Sequence, residues 1–491
     1  MQWDWIRVQA ERTPDLVAIE VGGCRWTYAD FDARVGRAAG WLTDQAVRPH
    51  DRVAVHLPPG IRWVELLFAA VRLRATVVPL NLRWTAAELG RVLRDVEPAA
   101  VITDSQGAQK VAAAWKGPTA VVADDGAPFP STASLAAADP PDGQDLQSIL
   151  YTSGTTGVPK GATIRLEQHF WAALGSMLRL GHLPDDAWLL CMPLFHVGGQ
   201  AILFRAALAG TRVVIHPRFD ARAVAEALTD GSVTLVSLVP TMLRRVLEVL
   251  PGPVSPRLRA VLLGGGPAPP DWVRAARARG LPIRLTYGLT ETCAQVATEG
   301  GEVEAPDGAV GRPLAFAEVA ITAWEGPFRP LPPGAVGEIV VRGPQVTTGY
   351  WKGAAPGRFS PDGWFYTGDI GWMDAAGWLH VLDRRLDLII SGGENVYPAE
   401  VEAAIMAHPA VEAAAVVPKP DPEWGQVPVA FVVRRSGWAV GDTELIRFLE
   451  HRLAGYKVPR RIWFVEQLPM TGSGKVARHR LRAWAERGRE P

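Results

Sequence analysis

Hydrophobic and polar positions alternate in two ways along roughly the first 290 residues. Short apolar runs, such as 53–55 and 76–78, have the texture of buried strands. Between them, segments such as 63–73 repeat apolar residues at helical spacing, and Thr85 with Glu88 forms a capping box that opens another helix. This alternation predicts mostly parallel sheet covered by helices.

The same pattern continues toward the middle of the chain, where helices rich in Ala, Arg and Leu separate further apolar runs. The strands that these runs predict are 147–150, 212–215, 233–238, 260–263 and 282–286. From 310 to 382 the texture changes to short β-like pieces with frequent Gly and Pro, which predicts a small β-rich subdomain. The fold class is therefore α/β with an added β-rich part.

A compact α+β segment follows residue 383. Its predicted elements are a helix from about 398, strands near 411–417 and 429–433, and a helix over 443–453. The pattern predicts a large N-terminal domain over 1–383, a hinge at 384–387 and a small mobile C-terminal domain over 388–491. A chain of 491 residues exceeds the ~250–300 residues that one core supports, which agrees with two or more domains.

Charge and cysteine content exclude several classes of protein. The 51 basic and 51 acidic residues give a formal net charge of zero, which argues against a nucleic-acid partner. Cys24, Cys191 and Cys293 lie far apart and form no Cys-x-x-Cys, so neither a disulfide framework nor a zinc site is indicated. A reducing cytoplasm fits this cysteine usage.

No targeting segment or membrane span is predicted. The N-terminus lacks a basic region followed by an apolar core. The most apolar stretch, 64–80, is interrupted by Glu65, Arg72 and Arg74.

Residues 151–160 read Tyr-Thr-Ser-Gly-Thr-Thr-Gly-Val-Pro-Lys, and this composition suits a polyphosphate. Glycines let backbone N–H groups approach phosphate oxygens, the hydroxyls add donors, and Lys160 supplies positive charge. A surface loop rich in small polar residues is the alternative. A Walker A loop is excluded, because the only Gly-Lys pair, at 474–475, has Pro469 where the first glycine belongs.

Two glycine-containing segments follow predicted strands, at the end where open α/β sheets bind ligands. After strand 282–286, Tyr287 can stack on a purine and Glu291 can hold Mg²⁺. The structural alternative is a core tyrosine and a first-turn helix carboxylate. The segment 264–266 is all glycine and forms either a backbone wall beside a base or a simple turn.

Three further residues are candidates for the functional site, although a purely structural role is also open for them. Asp369 follows an aromatic run, where it could accept both ribose hydroxyls or form an Asx turn. His196 is a lone histidine among apolar residues, and such residues are often packed in a core. Lys475 closes the glycine-containing loop 469–475.

Taken in order along essentially the whole chain, these motifs resemble the acyl-adenylate-forming superfamily of acyl-CoA synthetases, luciferases and peptide-synthetase adenylation domains. The resemblance implies an AMP-forming acid–CoA ligase that uses ATP, Mg²⁺ and CoA. Its substrate would be a small carboxylic acid, and a homo-oligomer is compatible with the sequence.

The resemblance also implies roles for individual residues. ATP and AMP would be bound by Thr152, Ser153, Gly154, Thr155, Thr156, Gly157, Lys160, Gly264, Gly265, Gly266, Tyr287, Gly288, Thr290, Asp369 and Arg384. Catalysis would involve Lys475, Glu291, Thr152 and His196, with Glu291 also holding Mg²⁺. The acyl group would lie against His196, Gln200, Ser237 and Thr241, and the CoA arm would pass Ser391, Gly392 and Gly393. Leu386 departs from the family pattern, which commonly has a charged or small polar hinge residue there.

Within the superfamily, stretches 193–200, 237–242 and 286–295 are most similar to ligases of an aromatic dicarboxylic acid. A second carboxylate needs a cation or several donors. Arg205 is one candidate, although it could equally be a helix-surface arginine. Two alternatives stay open: another aryl- or fatty-acyl-CoA synthetase, and a catalytically silent adenylate-binding regulatory protein.

Overall fold

The alternation of strands and helices read from the hydrophobic pattern is present in the computed structural model of the chain. For Asp383, Arg384, Ile390, Glu394 and Asn395 only the backbone is described. The structure describes residues 2–123, 126–131, 139–152, 160–266, 268–301, 303–323, 328–355, 357–384, 387–391, 394–422, 424–453, 455–470 and 476–488.

Helices begin where the sequence supplies caps. The predicted capping box is present: Thr85 Oγ1 accepts from the Glu88 N–H, and Glu88 Oε2 accepts from the Thr85 N–H at 2.8 Å. The α-helices of the described chain are α1 (Trp5–Arg12), α2 (Tyr28–Asp44), α3 (Ile61–Leu73), α4 (Ala86–Val96), α5 (Ala108–Ala114), α6 (Leu166–Leu180), α7 (Val197–Ala209), α8 (Ala221–Asp230), α9 (Pro240–Val249), α10 (Pro270–Ala278), α11 (Pro398–Met406), α12 (Asp442–Glu450) and α13 (Arg478–Arg487).

Strands coincide with the short apolar runs. In chain order they are β1 (Val17–Val21), β2 (Cys24–Thr27), β3 (Arg52–His56), β4 (Thr76–Pro79), β5 (Ala100–Thr103), β6 (Thr119–Val121), β7 (Leu146–Thr152), β8 (Lys160–Arg165), β9 (Ala187–Leu190), β10 (Arg212–Ile215), β11 (Leu235–Leu238), β12 (Ala260–Leu263), β13 (Ile283–Tyr287), β14 (Ala297–Thr298), β15 (Ala309–Pro313), β16 (Glu318–Thr322), β17 (Gly337–Arg342), β18 (Phe365–Met373), β19 (Leu379–Arg384), β20 (Ile389–Ser391), β21 (Glu394–Val396), β22 (Val411–Asp421), β23 (Gly425–Arg434) and β24 (Arg461–Phe464).

Internal contacts divide the described chain into two units. The first unit comprises residues up to 152, together with 160–319 and 341–365. The second unit comprises 320–340 and the residues from 366 onward. Residues 384–387 remain the predicted hinge.

The first unit contains two sheets. One has the order β6-β5-β3-β4-β7-β8, in which all neighbours are parallel except the hairpin of β7 and β8. In the other, the strands of this unit follow the order β15-β14-β13-β12-β11-β9-β10-β1-β2. Its central neighbours from β13 to β1 are parallel, and antiparallel pairs flank them. The predicted α/β fold with mostly parallel sheets is confirmed.

The second unit carries the β-rich pieces and the compact C-terminal segment. Strands β16 to β19, which lie mostly in this unit, are neighbours in sequence order. Farther along, β21-β20-β23-β22 form a sheet whose β23 also pairs with β24 in parallel. Helices α11 and α12 pack on one apolar cluster of this sheet and α13 on another. The predicted small α+β segment is therefore present.

Charged residues that interrupt the apolar stretch 64–80 are part of the core. Glu65 is fully buried in α3 and pairs with Arg34 and Arg62. Arg72 is 3% exposed and pairs with Asp4 at 2.7 Å and with Asp32. Within the described residues, no helix combines the length and apolar character needed to cross a bilayer.

The biased composition of residues 123–143 predicts a surface connection, and the structure agrees with this only in part. Residues 123–143 precede the phosphate loop, and several of them lie outside the described residues. Phe129 is 2% exposed, and its ring lies 4.7 Å from that of Trp41 between centroids. The guanidinium of Arg62 covers the same ring at 4.3 Å. A single aromatic side chain therefore anchors this connection in the core.

Candidate active site

Four adjacent parallel strands of the first unit end at one edge of its larger sheet. Strands β9, β11, β12 and β13 are neighbours in that order. The candidate segments follow their carboxyl ends at 193–196, 239–241, 264–266 and 288–290. Ligands of open α/β sheets bind at this edge, so the structure brings these four candidate segments together.

Glu291 is held at this edge by two contacts. It lies in a single 3₁₀ turn, Thr290–Thr292, and is 9% exposed. The Tyr350 hydroxyl donates to its Oε1 at 2.7 Å, and the Thr347 N–H donates to its backbone carbonyl at 2.7 Å. Burial, and next the Glu291 carboxylate, raise the pKa of Tyr350, so the phenol stays protonated and remains a donor.

The arrangement around Glu291 suits a cation that is also bound by phosphates. Among the described residues, its Oε2 atom accepts no hydrogen bond and is left for a ligand. No group of three or more His, Cys, Asp or Glu that could hold a metal occurs within the described ranges. Mg²⁺ commonly takes one or two protein carboxylates and completes its shell with water and substrate phosphates. Glu291 fits this role.

The turn that carries Glu291 leaves no space for a side chain at Gly288. A Cβ there would lie 1.5 Å from the Ala294 carbonyl oxygen. The turn is closed by Thr292, whose Oγ1 accepts from the Leu289 N–H at 2.9 Å. Cys293 follows at φ 54° and is fully buried. Glycine at 288 is therefore a packing requirement of this turn.

A buried histidine supports the same turn from helix α6. His169 Nδ1 lies 3.1 Å from Cys293 Sγ, and its Nε2 lies 2.9 Å from Gln147 Oε1. These partners fit a neutral ring that donates from Nε2 to the amide oxygen and accepts the thiol hydrogen at Nδ1. Burial lowers the pKa of His169 to about 3, which keeps the ring neutral.

Gly264, at the end of β12, is also restricted by its neighbours. An added Cβ would lie 2.6 Å from Thr286 Cγ2 and 2.8 Å from the Thr286 carbonyl oxygen. Gly265 has φ 79°, a conformation that glycine adopts readily, and an added Cβ at Gly266 would meet nothing within 4 Å. Glycine is therefore required at 264 by the close approach of Thr286 and favoured at 265 by the positive φ angle.

The ends of the predicted phosphate loop are paired strands. Thr152 ends β7 and Lys160 begins β8, and their Cα atoms are register partners in the hairpin. The Tyr151 hydroxyl bonds to Asp95 of helix α4. Among the predicted ATP-binding residues of this loop, Ser153, Gly154, Thr155, Thr156 and Gly157 lie outside the described residues.

Two of the four predicted acyl-site residues are buried with an unpartnered polar atom. Gln200 donates from Nε2 to the Leu194 carbonyl at 2.9 Å, and its Oε1 has no partner. Ser237, on β11, is 6% exposed and its Oγ has none. His196 is the N-cap residue of α7 and packs beside Phe195, whereas Thr241 is exposed on α9. Buried polar atoms without a partner are costly, which favours Ser237 as a contact of the acid and leaves Gln200 Oε1 to accept from a water or a hydroxyl.

The expectation that Arg205 lies on a helix surface is wrong. Arg205 is 4% exposed on α7, near Asp186, Leu235 and Arg259. These neighbours lie at the amino ends of β9, β11 and β12, the edge opposite to the candidate site. Arg205 therefore lies away from the predicted acyl pocket and is not the cation that would bind a second carboxylate of the acid.

In the second unit, Asp369 is 4% exposed inside β18 and is the register partner of Arg384 on β19. The Asx turn considered for Asp369 is wrong, because the residue continues a strand and its N–H donates to Thr367 Oγ1 at 3.0 Å. Ser391 is 4% exposed on β20.

Several predicted residues of the second unit carry no structural description. Gly392, Gly393 and Lys475 lie outside the described residues, as does the hinge residue Leu386. For Arg384 only the backbone is described, so its role toward ribose stays a prediction.

Sequence reasoning missed two residues that the structure joins to Glu291. Tyr350 and Thr347 are distant in sequence and follow no helical or strand period. The signal that could have found Tyr350 is its place in Gly349-Tyr350-Trp351, a bulky aromatic pair directly after a glycine. His169 was missed as well, because it falls on the buried face of an ordinary amphipathic helix.

The profile of the AMP-binding enzyme family matches residues 6–351, and that of the AMP-binding enzyme C-terminal domain matches residues 400–475. The chain belongs to the AMP-binding enzyme family. Its resemblance to the acyl-adenylate-forming superfamily, and to the o-succinylbenzoate–CoA ligases within it, is confirmed by named relatives.

The 2-succinylbenzoate–CoA ligase of Geobacillus sp. (strain WCH70) is 39% identical over 491 residues, covering 98% of this chain and 96% of that protein. The enzyme of the same name from Bacillus mycoides (strain KBAB4) is 39% identical and covers 98% of both chains. These matches span nearly the whole length of each protein.

Solved structures agree with this assignment. The o-succinylbenzoate CoA synthetase of Bacillus subtilis with its acyl-adenylate intermediate has a TM-score of 0.91 and 35% identity, covering 98% of each chain. The same enzyme with ATP and magnesium ion has a TM-score of 0.90, 35% identity and coverage of 97% of this chain and 99% of that one. ATP-bound MatB from Rhodopseudomonas palustris also reaches 0.90, at 30% identity and full coverage of both chains.

Proposed function

We propose that the chain is an AMP-forming ligase that joins 2-succinylbenzoate to CoA with ATP, in menaquinone biosynthesis. The observation that carries the choice of acid is the 39% identity, over 98% of the chain, with 2-succinylbenzoate–CoA ligases. Stretches 193–200, 237–242 and 286–295 favour the same acid. The cytoplasm is the proposed location, because three free cysteines suit a reducing compartment.

In the first half-reaction, a carboxylate oxygen of the acid attacks the α-phosphorus of ATP. The bond from that phosphorus to the bridging oxygen of pyrophosphate breaks, and the acyl-adenylate forms. Charge develops on the phosphate oxygens, so positioning and electrostatic stabilisation supply most of the catalysis. We assign these tasks to loop residues 152–160 and to Lys475.

Mg²⁺ would offset the negative charge of the phosphates when bound. Glu291 would hold it through the carboxylate oxygen that Tyr350 leaves open, and the Tyr350 hydroxyl orients that carboxylate. The adenine would lie between Tyr287 and the backbone of 264–266, at the carboxyl ends of β13 and β12. Asp369 and Arg384 are assigned to the ribose.

In the second half-reaction, the CoA thiol attacks the acyl carbon and AMP leaves with the electrons of the acyl–oxygen bond. We assign Ser391, Gly392 and Gly393 to the channel for the CoA arm. Rotation at residues 384–387 would withdraw Lys475 and present this channel, a hinge motion typical of multistep enzymes. Lys475 would then matter for the first half-reaction only.

The acid would be recognised by the buried polar atoms near the strand ends. Ser237 Oγ can donate to a carbonyl or carboxylate oxygen of the acid. Gln200 Oε1 can only accept, so it suits a bridging water or a hydroxyl rather than a carboxylate. His196 would border the same pocket.

A second candidate is a ligase of the same mechanism that takes another aryl or fatty acid. The motifs for ATP, Mg²⁺ and CoA would serve such a ligase equally well, whereas the relatives at 39% identity are 2-succinylbenzoate–CoA ligases and favour that acid. A catalytically silent adenylate-binding protein is disfavoured by the intact Lys160, Glu291 and Lys475.

The test is pyrophosphate release with Mg-ATP and a panel of o-succinylbenzoate, benzoate and medium-chain fatty acids, first without CoA and then with it. Release with o-succinylbenzoate, followed by thioester when CoA is added, is the expected result. Preference for another acid would replace the substrate and keep the mechanism. If no acid of the panel releases pyrophosphate while ATP still binds, the ligase proposal fails in favour of a binding protein.

A further inference from the structure

A small cavity lies in the first unit, at the edge of the larger sheet opposite to the candidate active site. Asp186 precedes β9, Arg259 precedes β12 and Leu235 begins β11, and all three line it. Ser176 from α6 and Arg205 from α7 complete its buried wall. The cavity is thus separate from the residues assigned to ATP and the acid.

The two arginines of this cavity differ in their partners. Arg259 donates from Nε to Asp186 at 2.7 Å and from Nη1 to the Leu180 carbonyl at 2.6 Å. The Asp186 carboxylate also accepts from Thr234 Oγ1 at 2.8 Å and from the Leu183 N–H at 2.9 Å. The charges of Arg259 and Asp186 therefore balance each other, and both side chains have further hydrogen-bond partners in the protein.

Arg205 has no carboxylate partner among the described residues. Its Nε donates to the Ala201 carbonyl at 2.9 Å, its guanidinium carbon lies 4.6 Å from the centre of the Trp188 ring, and its Nη1 has no hydrogen-bond partner. Burial lowers the pKa of Arg205 to about 10, so the side chain is still charged at neutral pH. The two arginines and the one aspartate of the lining leave one net positive charge.

Two hydroxyls at the cavity also lack partners. Ser176 is 1% exposed and Thr211 is 2% exposed, and neither Ser176 Oγ nor Thr211 Oγ1 has a hydrogen-bond partner in the described chain. Both residues line the cavity together with Arg205. Three unused donors and one unbalanced positive charge thus occur around one space, and buried donors of this kind are normally satisfied.

The size of the space restricts what can fill it. The cavity has a volume of about 20 Å³ on the scale that counts positions for the centre of a water molecule. A single water needs about 10–15 Å³ by this measure, so one small species fits and an organic molecule does not. Gly181 and His182 line the space and are exposed, which provides a route of entry from solvent.

We propose that this cavity binds one monovalent inorganic anion of halide size, held by the Arg205 guanidinium and the Ser176 and Thr211 hydroxyls. An anion accepts from all three donors and balances the buried charge, whereas a water balances no charge. The bound anion joins α6, α7 and the residue before β10. Its effect is on the stability of the first unit and not on the chemistry at the opposite edge of the sheet.

The test compares sodium chloride with sodium gluconate at equal ionic strength. With chloride, we expect a saturable rise of about 2 °C in the thermal unfolding midpoint and excess broadening of the chloride NMR line. Both effects should be lost in Arg205→Met, which removes the charge and keeps much of the volume. Arg205→Lys should restore part of them.

The matched control is Arg72→Met. Arg72 is equally buried but is paired with Asp4 and Asp32, so this variant should unfold at a lower temperature and keep the full chloride response. If Arg205→Met does not fold, Ser176→Ala with Thr211→Val should weaken chloride binding at least fivefold. Equal responses of the wild type to chloride and gluconate would overturn the proposal in favour of water, and a chloride response that survives in Arg205→Met would place the anion elsewhere.

Discussion

The phenolic hydroxyl of Tyr350 donates a 2.7 Å hydrogen bond to Oε1 of Glu291, across 59 residues of sequence. This bond fixes one carboxylate oxygen, and we propose that the other oxygen holds Mg²⁺. Tyr350→Phe should lower kcat/KM for pyrophosphate release by roughly tenfold to a hundredfold, because a hydrogen bond to a charged group contributes about 1.5–3 kcal/mol. The half-saturating Mg²⁺ concentration should rise in the same titration.

Tyr28→Phe is the matched control for that variant. Tyr28 is also buried, and its hydroxyl donates to the carbonyls of Ala206 and Thr211, away from Glu291. It should lower the unfolding midpoint and leave the Mg²⁺ dependence unchanged. An unaltered Mg²⁺ titration in Tyr350→Phe would remove Tyr350 from the metal site.

Glycine 288 should tolerate no side chain. A Cβ at this position would overlap the Ala294 carbonyl oxygen, at 1.5 Å, so Gly288→Ala should cost more than about 3 kcal/mol or displace the Glu291 turn. Thermal unfolding and pyrophosphate release measure the two outcomes. Gly266→Ala, where a Cβ meets nothing within 4 Å, should change the unfolding midpoint little.

His169 should make the first unit sensitive to acid. Its pKa is about 3 in the folded chain and 6.5 as the reference value, so between these pH values the unfolded state binds more protons. Stability therefore falls as pH falls below 6.5, by up to about 1.4 kcal/mol per pH unit from this residue. His169→Gln should flatten that slope in denaturant unfolding between pH 6.5 and 5.

The exposed His451 provides the comparison. His451→Gln should keep the slope of the wild type. If His169→Gln unfolds with the same pH slope as the wild type, the ring is not held neutral by its buried contacts with Gln147 and Cys293.

Ser237→Ala should weaken binding of the acid and leave binding of ATP unchanged. Its buried, unpartnered Oγ lies near the end of β11, and loss of one substrate hydrogen bond should raise the KM for o-succinylbenzoate about tenfold. The KM for ATP, measured in the same assay, should not change. A rise in both constants would indicate a general disturbance of the strand ends.

Lys475→Ala should separate the two half-reactions. Loss of a preorganised cation at the α-phosphate should slow pyrophosphate release by about 10²–10³. Thioester formation from added acyl-adenylate and CoA should proceed at nearly the wild-type rate. Lys419→Ala, on β22, serves as the control lysine and should leave both rates unchanged.

Much of the fold can be predicted from the sequence, because buried parallel strands are continuous apolar runs. Strand 260–263 was predicted with its observed bounds, and the helix predicted over 63–73 begins two residues earlier, at Ile61. The strand predicted over 411–417 continues to Asp421, because its last residues pair with the start of β23 across a hairpin. Such an extension depends on the partner strand and not on local hydrophobicity.

The candidate site can be predicted from the sequence only in part. Motif residues such as Tyr287 and Gly264 could be placed because they directly follow strands. The bond between Tyr350 and Glu291 could not, since both residues lie in irregular segments that only the folded chain brings together. Arg205 was misjudged for a related reason: burial of a charge depends on neighbours that are distant in sequence.

The buried charges of helix α3 also have a consequence before the chain has folded. Before the chain folds, the apolar run 64–80 is open to solvent and to other nascent copies. Glu65 and Arg72 then act as gatekeepers, because charges within an apolar run oppose aggregation. Once Asp4, Arg34 and Asp32 reach them, the same charges become internal ion pairs. A variant with leucine at both positions would lose this protection during translation, whatever the packing of its finished core.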